Sequence, residues 1–340
     1  MKKLVYLGKR ILHLNYKSFF KTIKQIHYKT GKNRIVIFFD MVYCGIKYQA
    51  GYVDYNLFEM YDMTKEERKT VITRGINNQI LKKCNNPAYF HIFHNKNEFN
   101  EKFETYLNRD WLYLDNNEEE FKKFIKKHPT FIAKPTDLEC GKKVECIHYK
   151  NKDAHKLYET LIENHQLLLE EVATQCQEIA SLHPYSVNTI RIVTLKSQIV
   201  AAFIRIGDKK NIVDNFNHDG LLAPIDIETG KINFPAVKKN GMTYTHHPLT
   251  KKPILGITIP KWEEVKSLCI EASKVIPEID YIGFDVCIGP QKCSLIEANE
   301  FPGHDLYTLP AHRNKKEGLL PRFNEILNAN DDGESHSQDE

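Results

Sequence analysis

The sequence has no Cys-x-x-Cys pair. Its eight cysteines, at 44, 84, 140, 146, 176, 269, 287 and 293, are scattered. Nothing in their spacing suggests a zinc site or a disulfide framework. Long apolar runs are missing too; a run such as 35–39 is far too short to span a bilayer. Residues 1–34 hold ten Lys or Arg and no acid. No apolar core precedes Lys9 and Arg10, which reads against a signal peptide. The thiols are then expected to be reduced and the chain cytoplasmic. A net charge of +4 is too small to imply a nucleic-acid partner. Outside the N-terminus no basic patch is interleaved with stacking aromatics, so nucleic acid is not expected as a ligand.

What is present suits a folded protein. At 340 residues the chain can bury two or three lobes, and 41% hydrophobic with 11% aromatic residues argues against global disorder. Residues 4–26 place Leu4, Leu7, Ile11, Leu14, Phe19, Ile23 and Ile26 near helical spacing, with lysines and Arg10 between them. Such a helix can lie on an anionic membrane surface at the inner face, or it can dock on the protein's own core. The text from 34 to 87 reads as mostly helical, and Thr64 to Glu67 is a capping box. The aromatic stretch within 40–61 reads as core packing. Residues 231–253 read as an exposed loop whose His246 and His247 face water. The tail, 331–340, holds five acids and no base and is expected to be disordered.

The informative stretch is 281–309. Apolar runs at 282–288 and 293–296, separated by Gly-Pro-Gln-Lys, predict a hairpin of buried strands. Asp285 interrupts the first strand. Glu297 and Asn299, two apart, share a face at the end of the second. Ionised groups on apolar strands are costly without a partner. Two carboxylates and an amide carbonyl are hard oxygen donors suited to Mg²⁺ or Mn²⁺; the alternative is polar residues capping a turn. Arg191 and Arg205 likewise interrupt apolar strands, which are joined as a hairpin through Lys196-Ser-Gln. Two such cations beside these acids suggest a large anion between them, or else a structural ion-pair network. Lys134 ends the apolar strand 130–134 and also needs an anionic partner.

Asp285 followed by Leu-Ile-Glu297-Ala-Asn299-Glu-Phe-Pro302-Gly303 resembles the metal-binding end of the ATP-grasp ligases. The wider text, from about 40 to 309, resembles the sugar-transfer-associated branch found near polysaccharide-assembly genes. The resemblance implies an α+β fold: two α+β lobes gripping ATP, preceded by a mainly helical N-terminal region. The expected divisions are 1–34 (basic helix), 35–111 (helical), 112–170 (N-lobe), 171–328 (C-lobe) and 329–340 (acidic tail). It further implies that Lys96, Lys134 and the loop with Gly141 and Lys143 hold phosphates. Relatives carry more glycines in that loop than this chain. Glu170 and Val172 would frame the adenine, and Glu178 would meet the ribose. Asn215 would face the metal-bound phosphates, and Arg191 and Arg205 would stabilise transferred charge. His304 and Asp305 would orient the acceptor. Arg109 is similar to an arginine of the branch, with no role to assign from sequence.

The resemblance implies chemistry as well: a carboxylate attacks the γ-phosphate of ATP and an amine displaces phosphate from the acyl phosphate. The expected ligands are ATP, Mg²⁺ or Mn²⁺, a small carboxylate, and an amine or sugar acceptor in polysaccharide biosynthesis. Two alternatives stay open: a kinase acting on a hydroxyl, and a non-catalytic nucleotide-binding partner of a glycosyltransferase complex.

Overall fold

The computed structural model describes residues 15–115, 117–137, 143–150, 153–208, 220–312 and 317–329. Gly141, Asn215, the first fourteen residues and the acidic tail 331–340 lie outside the described residues. The chain divides into two compact units: Met1–Lys83 with Gly303–Glu340, and Cys84–Pro302. Compactness thus divides the chain at 83 and 302, whereas the sequence reading set boundaries at 34, 111, 170 and 328.

The first unit is helical. Helix α1 (Tyr16–Thr30) is capped by the Asn15 side chain and ends at Gly31, whose φ of 73° suits a residue without a Cβ. Helix α2 (Arg34–Lys47) follows, capped by Asn33. The expected capping box forms: Thr64 N–H donates to Glu67 and Glu67 N–H to Thr64 Oγ1. Phe19, Ile23, Ile26, Ile37, Met41, Cys44, Tyr55, Phe58 and Met60 make one apolar core, so the aromatics of 40–61 pack there, except the exposed Tyr43. Asp40 takes a bidentate pair from Arg68 at 2.7 Å and a hydroxyl bond from Tyr55 at 2.6 Å.

His304 belongs to this unit. It is 4% exposed, with Nε2 3.2 Å from Asp54. Asp54 also accepts the N–H groups of Gly51 and Arg74.

The second unit holds two antiparallel sheets. The first has the order β1 (Trp111–Tyr113), β4 (Leu168–Glu171), β2 (Thr130–Lys134), β3 (Glu145–His148). Helices α4 (Glu118–Lys127) and α5 (Ala154–Glu163) cover one face, where Phe121, Phe124 and Leu161 meet Phe131, Ala133 and Leu169. Helix α3 (Lys96–Leu107) precedes β1.

The second sheet has seven strands: β11 (Cys293–Asn299), β10 (Tyr281–Ile288), β5 (Thr189–Leu195), β6 (Gln198–Ile206), β7 (Leu221–Pro224), β8 (Ala236–Val237) and β9 (Thr243–Tyr244). The β5–β6 turn is Lys196-Ser197, both at positive φ, as a two-residue hairpin requires. Ile190, Ile192, Phe284 and Val286 pack on one face with Phe99 and Phe103 of α3 and Val265 and Cys269 of α6 (Trp262–Ala272).

The stretch 231–253 departs from the loop reading. It contributes β8 and β9, and Ile232, Ala236 and Val237 are buried. His247 is fully buried: Nε2 meets the Gly207 carbonyl at 2.6 Å, and Nδ1 accepts the N–H groups of Leu249 and Thr250. Only the exposed His246 faces water. A spacing rule cannot anticipate this, because the carbonyl it needs lies 40 residues away.

Candidate functional site

Strand pairing builds the site. Asp285 is opposite Glu297 on one side and Arg191 on the other. Arg191 in turn is opposite Phe203, two residues before Arg205. Residues directly opposite share a face, and the diagonal neighbour two along shares it too. Glu297, Asp285, Arg191 and Arg205 therefore line one face of the seven-stranded sheet, away from the Phe284 core. Asn299, two beyond Glu297, joins that face opposite Gly283.

The charges meet directly. Arg191 Nε and Nη2 donate to the two Asp285 oxygens at 2.6 and 2.9 Å, and Arg205 Nη1 adds a bond at 2.9 Å. Burial pushes the Asp285 carboxyl up, but the two guanidinium charges outweigh it and hold the group below its ordinary range. Glu297 goes the other way. Burial among neighbouring protein raises its carboxyl first, and the adjacent Asp285 charge raises it further. Yet Glu297 is exposed to solvent. Neighbouring protein crowds the carboxyl while part of the side chain stays open to water. Gly283 makes room here: a Cβ on it would lie 2.6 Å from Arg191 Nη1 and 3.2 Å from Pro302.

These donors fit a hard divalent cation. The two carboxyls face each other across the strand pair and raise the cost of ionising both, an arrangement that favours a proton or a cation between them. Beside them the Asn299 amide has a buried nitrogen with no hydrogen-bond partner; rotating the amide would turn its carbonyl oxygen into that position.

A second cluster stands on the four-stranded sheet. Ile132 is opposite Glu170 and Lys134 is two along, so Lys134 and Glu170 are diagonal neighbours on one face. Lys134 Nζ is 2.8 Å from Glu170 Oε2; Arg109 Nη2 and Asn100 Nδ2 reach Oε1 at 3.2 and 2.9 Å. Burial alone would raise Glu170, but Arg109 and Lys134 drive it far below the usual carboxylate range. Glu171 turns the other way and accepts the Asp110 N–H at 3.1 Å. Asp110, His128 and Glu171 form an ionisable cluster of their own, with Lys127 on the same Asp110 oxygen.

Lys96 opens α3, with its N–H on the Thr136 carbonyl. Desolvation first, and Lys134 second, lower its ammonium, while Glu297, Asp137 and Glu170 oppose them. Its electrostatic neighbours thus come from both clusters. Lys143 is exposed with φ of 55°. Val172 is half-buried just past β4, and Glu178 is exposed on the short helix Gln177–Ala180. The structure therefore gathers Arg191, Arg205, Asp285, Glu297 and Asn299 into one cluster and Lys134 and Glu170 into another. Lys143 and Glu178 stand in neither.

Arg109 is what the sequence could not place. It spans the two sheets: its guanidinium donates to the Leu295 and Ile296 carbonyls of β11 and to Glu170 of β4. Asn85 does similar work at the start of β10, donating to the Tyr281 and Glu300 carbonyls and accepting the Tyr281 N–H.

The sugar-transfer-associated ATP-grasp family model matches residues 75–328, three quarters of the chain and all of both clusters. The chain belongs to this family. Among solved structures, the ATP-grasp member is similar to the ligase PsnB complexed with a phosphomimetic variant of its minimal precursor, Mg and ADP. The identity is 15%, with 64% of this chain and 53% of that chain covered and a TM-score of 0.39. The chain thus spans about half the length of that ligase. It is similar as well to a D-alanine–D-alanine ligase from Bacillus anthracis: 15% identity, 77% and 72% covered, TM-score 0.38. For the D-cycloserine synthetase DcsG the values are 10%, 70% and 71%, and 0.40. These likenesses are remote, and membership rests on the family match. A search of curated proteins found no match.

Proposed function

We propose that this ATP-grasp protein is an ATP-dependent carboxylate–amine ligase that works through an acyl phosphate and modifies a sugar or polysaccharide precursor. The observation that carries the reading is the row Glu297–Asp285–Arg191 across three neighbouring strands, with Arg205 closing on the same aspartate. Acids and arginines on one otherwise apolar sheet, in a family named for ATP, suit a nucleotide triphosphate and its charge-balancing cation.

Asp285, Glu297 and Asn299 would hold Mg²⁺ or Mn²⁺, which when bound neutralises phosphate charge. Arg191 and Arg205 stabilise the charge that develops on the transferred phosphoryl group. Lys134, from the four-stranded sheet, and Lys96, from the start of α3, would face the phosphates. Since both oxygens of Glu170 are engaged, this residue orients Lys134, and the backbone near Val172 is left to meet the adenine. Gly141, Lys143, Asn215 and Glu178 keep their roles as parts of the proposal. No protein nucleophile is needed; positioning and neutralisation do the work.

The described cysteines form no disulfide with one another, and burial pushes Cys44 and Cys293 up to about 12 and Cys287 to about 11. Thiols buried in this way are inert. Among the described residues no helix is long and apolar enough to cross a membrane.

The test is incubation with ATP, Mg²⁺ and a panel of uronic acids and amino acids, reading product masses and nucleotide together. ADP and inorganic phosphate appearing only when carboxylate and amine are both present would support the ligase. A stable phosphorylated product without an amine would make it a kinase.

A further inference from the structure

Helix α2 is apolar on two sides and covered on one. Ile37, Met41 and Cys44 face the core of the helical unit. On the other side Ile35, Phe39, Val42 and Ile46 recur at spacings of four, three and four, flanked by Val36 and Tyr43, and all six are exposed. Ile35 is 67% and Phe39 65% accessible. The patch continues onto α1, where Phe20 is 57% exposed and stacks at 6.5 Å on Phe38 of α2. Tyr16 and Tyr28 are exposed as well. A soluble helix does not ordinarily leave such a stripe uncovered.

Every charged residue of α1 is basic, although Lys29 pairs with Glu59 and Lys32, just beyond the helix, with Asp62. No acid occurs before Asp40, while the same stretch holds ten Lys or Arg. Lys17, Lys21 and Lys24 of α1 are exposed. Lys24 and Arg34 sit over the Tyr28 ring at 5.8 Å, and Lys47 over Tyr43 at 5.4 Å.

From this we propose that the α1–α2 hairpin docks on an anionic phospholipid surface. The partner must be anionic at the rim and apolar at the centre. A polyanion supplies only the first property, whereas a bilayer interface supplies both, with the tyrosines and lysines at headgroup level and the α2 stripe below them. At 14 residues α2 falls short of the roughly 20 needed to cross, so it lies in the plane of the membrane. The inference stands independently of the proposed reaction.

The experiment uses the full chain and sedimentation with vesicles of phosphatidylglycerol and phosphatidylcholine, against phosphatidylcholine alone. Binding should be about tenfold or more stronger on the anionic vesicles and should fall with salt. F39S/I46S and K17E/K21E/K24E should each weaken it about tenfold or more, with thermal midpoints unchanged because these side chains are exposed. The emission that Phe39→Trp adds to that of Trp111 and Trp262 should be that of a solvated indole and should shift to the blue on adding anionic vesicles. No binding by the full chain would overturn the proposal, as would binding indifferent to F39S/I46S, which is charge adsorption alone. A blue-shifted tryptophan without lipid would mean that another part of the chain already covers the stripe. A dimer dissolved by F39S/I46S would assign it to a second copy. Either result overturns membrane docking.

Discussion

Asp285 and Glu297 face each other across the β10–β11 pair, and their titrations move apart: two guanidinium charges hold Asp285 down, while burial first and the Asp285 charge second push Glu297 up. The two guanidinium groups are bonded to Asp285, so it is the partner held ionised. A pair so divided has one member that gains from a cation and one that already has two.

That division predicts a stabilising mutation. Glu297 has a folded-state pKa raised above its unfolded value, so its contribution is most favourable at low pH and is lost as pH rises through the folded value. At neutral pH the ionised carboxylate costs stability, and Glu297→Gln removes that cost. The thermal midpoint of the ligand-free variant at pH 7 should rise, while the extra stabilisation by ADP with Mg²⁺ should disappear. A lower midpoint without ligand would contradict the assignment of strain to Glu297.

Acid should act through the other carboxylates. Glu170 and Asp285 are both held below their ordinary values. Their stabilising contribution is therefore present above about pH 4 and is lost as pH falls below it. The urea midpoint should drop steeply between about pH 4 and 2. Glu170→Gln should be weaker at pH 7 and converge on the parent at the acid end. Parallel curves across the whole range would show that Glu170 is not the group being protonated.

Arg109 should matter to stability more than any other single arginine of the second unit. Its removal strips two strand carbonyls and leaves buried Glu170 with less compensation. Arg109→Met should cost about 3–5 kcal/mol by urea unfolding. In the background of Glu170→Gln the same change should cost much less, since the uncompensated charge is then gone. Additive costs would refute the coupling.

Gly283 is a test of the site rather than of the turn chemistry. Its φ is ordinary, so the demand is for space: an added Cβ meets the Arg191 guanidinium and Pro302. Gly283→Ala should cost about 1–3 kcal/mol and, by shifting Arg191, lower ATP turnover about 10²-fold. Turnover within a factor of about two of the parent would detach Arg191 from the chemistry.

The sequence by itself determined the strands that carry charge. A carboxylate or guanidinium on an apolar run stands out because burial without a partner is so costly, and alternation then says which charges share a face. Asp285, Glu297, Arg191, Arg205 and Lys134 were legible for that reason, and Asn299 because it shares a strand face with Glu297. So was the capping box at Thr64, whose two bonds are three residues apart. Tertiary structure alone decided who meets whom. Arg109 finds Leu295, Asn85 finds Tyr281 and His247 finds Gly207, partners 186, 196 and 40 residues away. It also turned Glu170 toward Lys134 and put the described residues before 84 and after 302 into one compact unit. Such pairings are set by how sheets and helices close on one another, and a local pattern of residues carries no record of that closure.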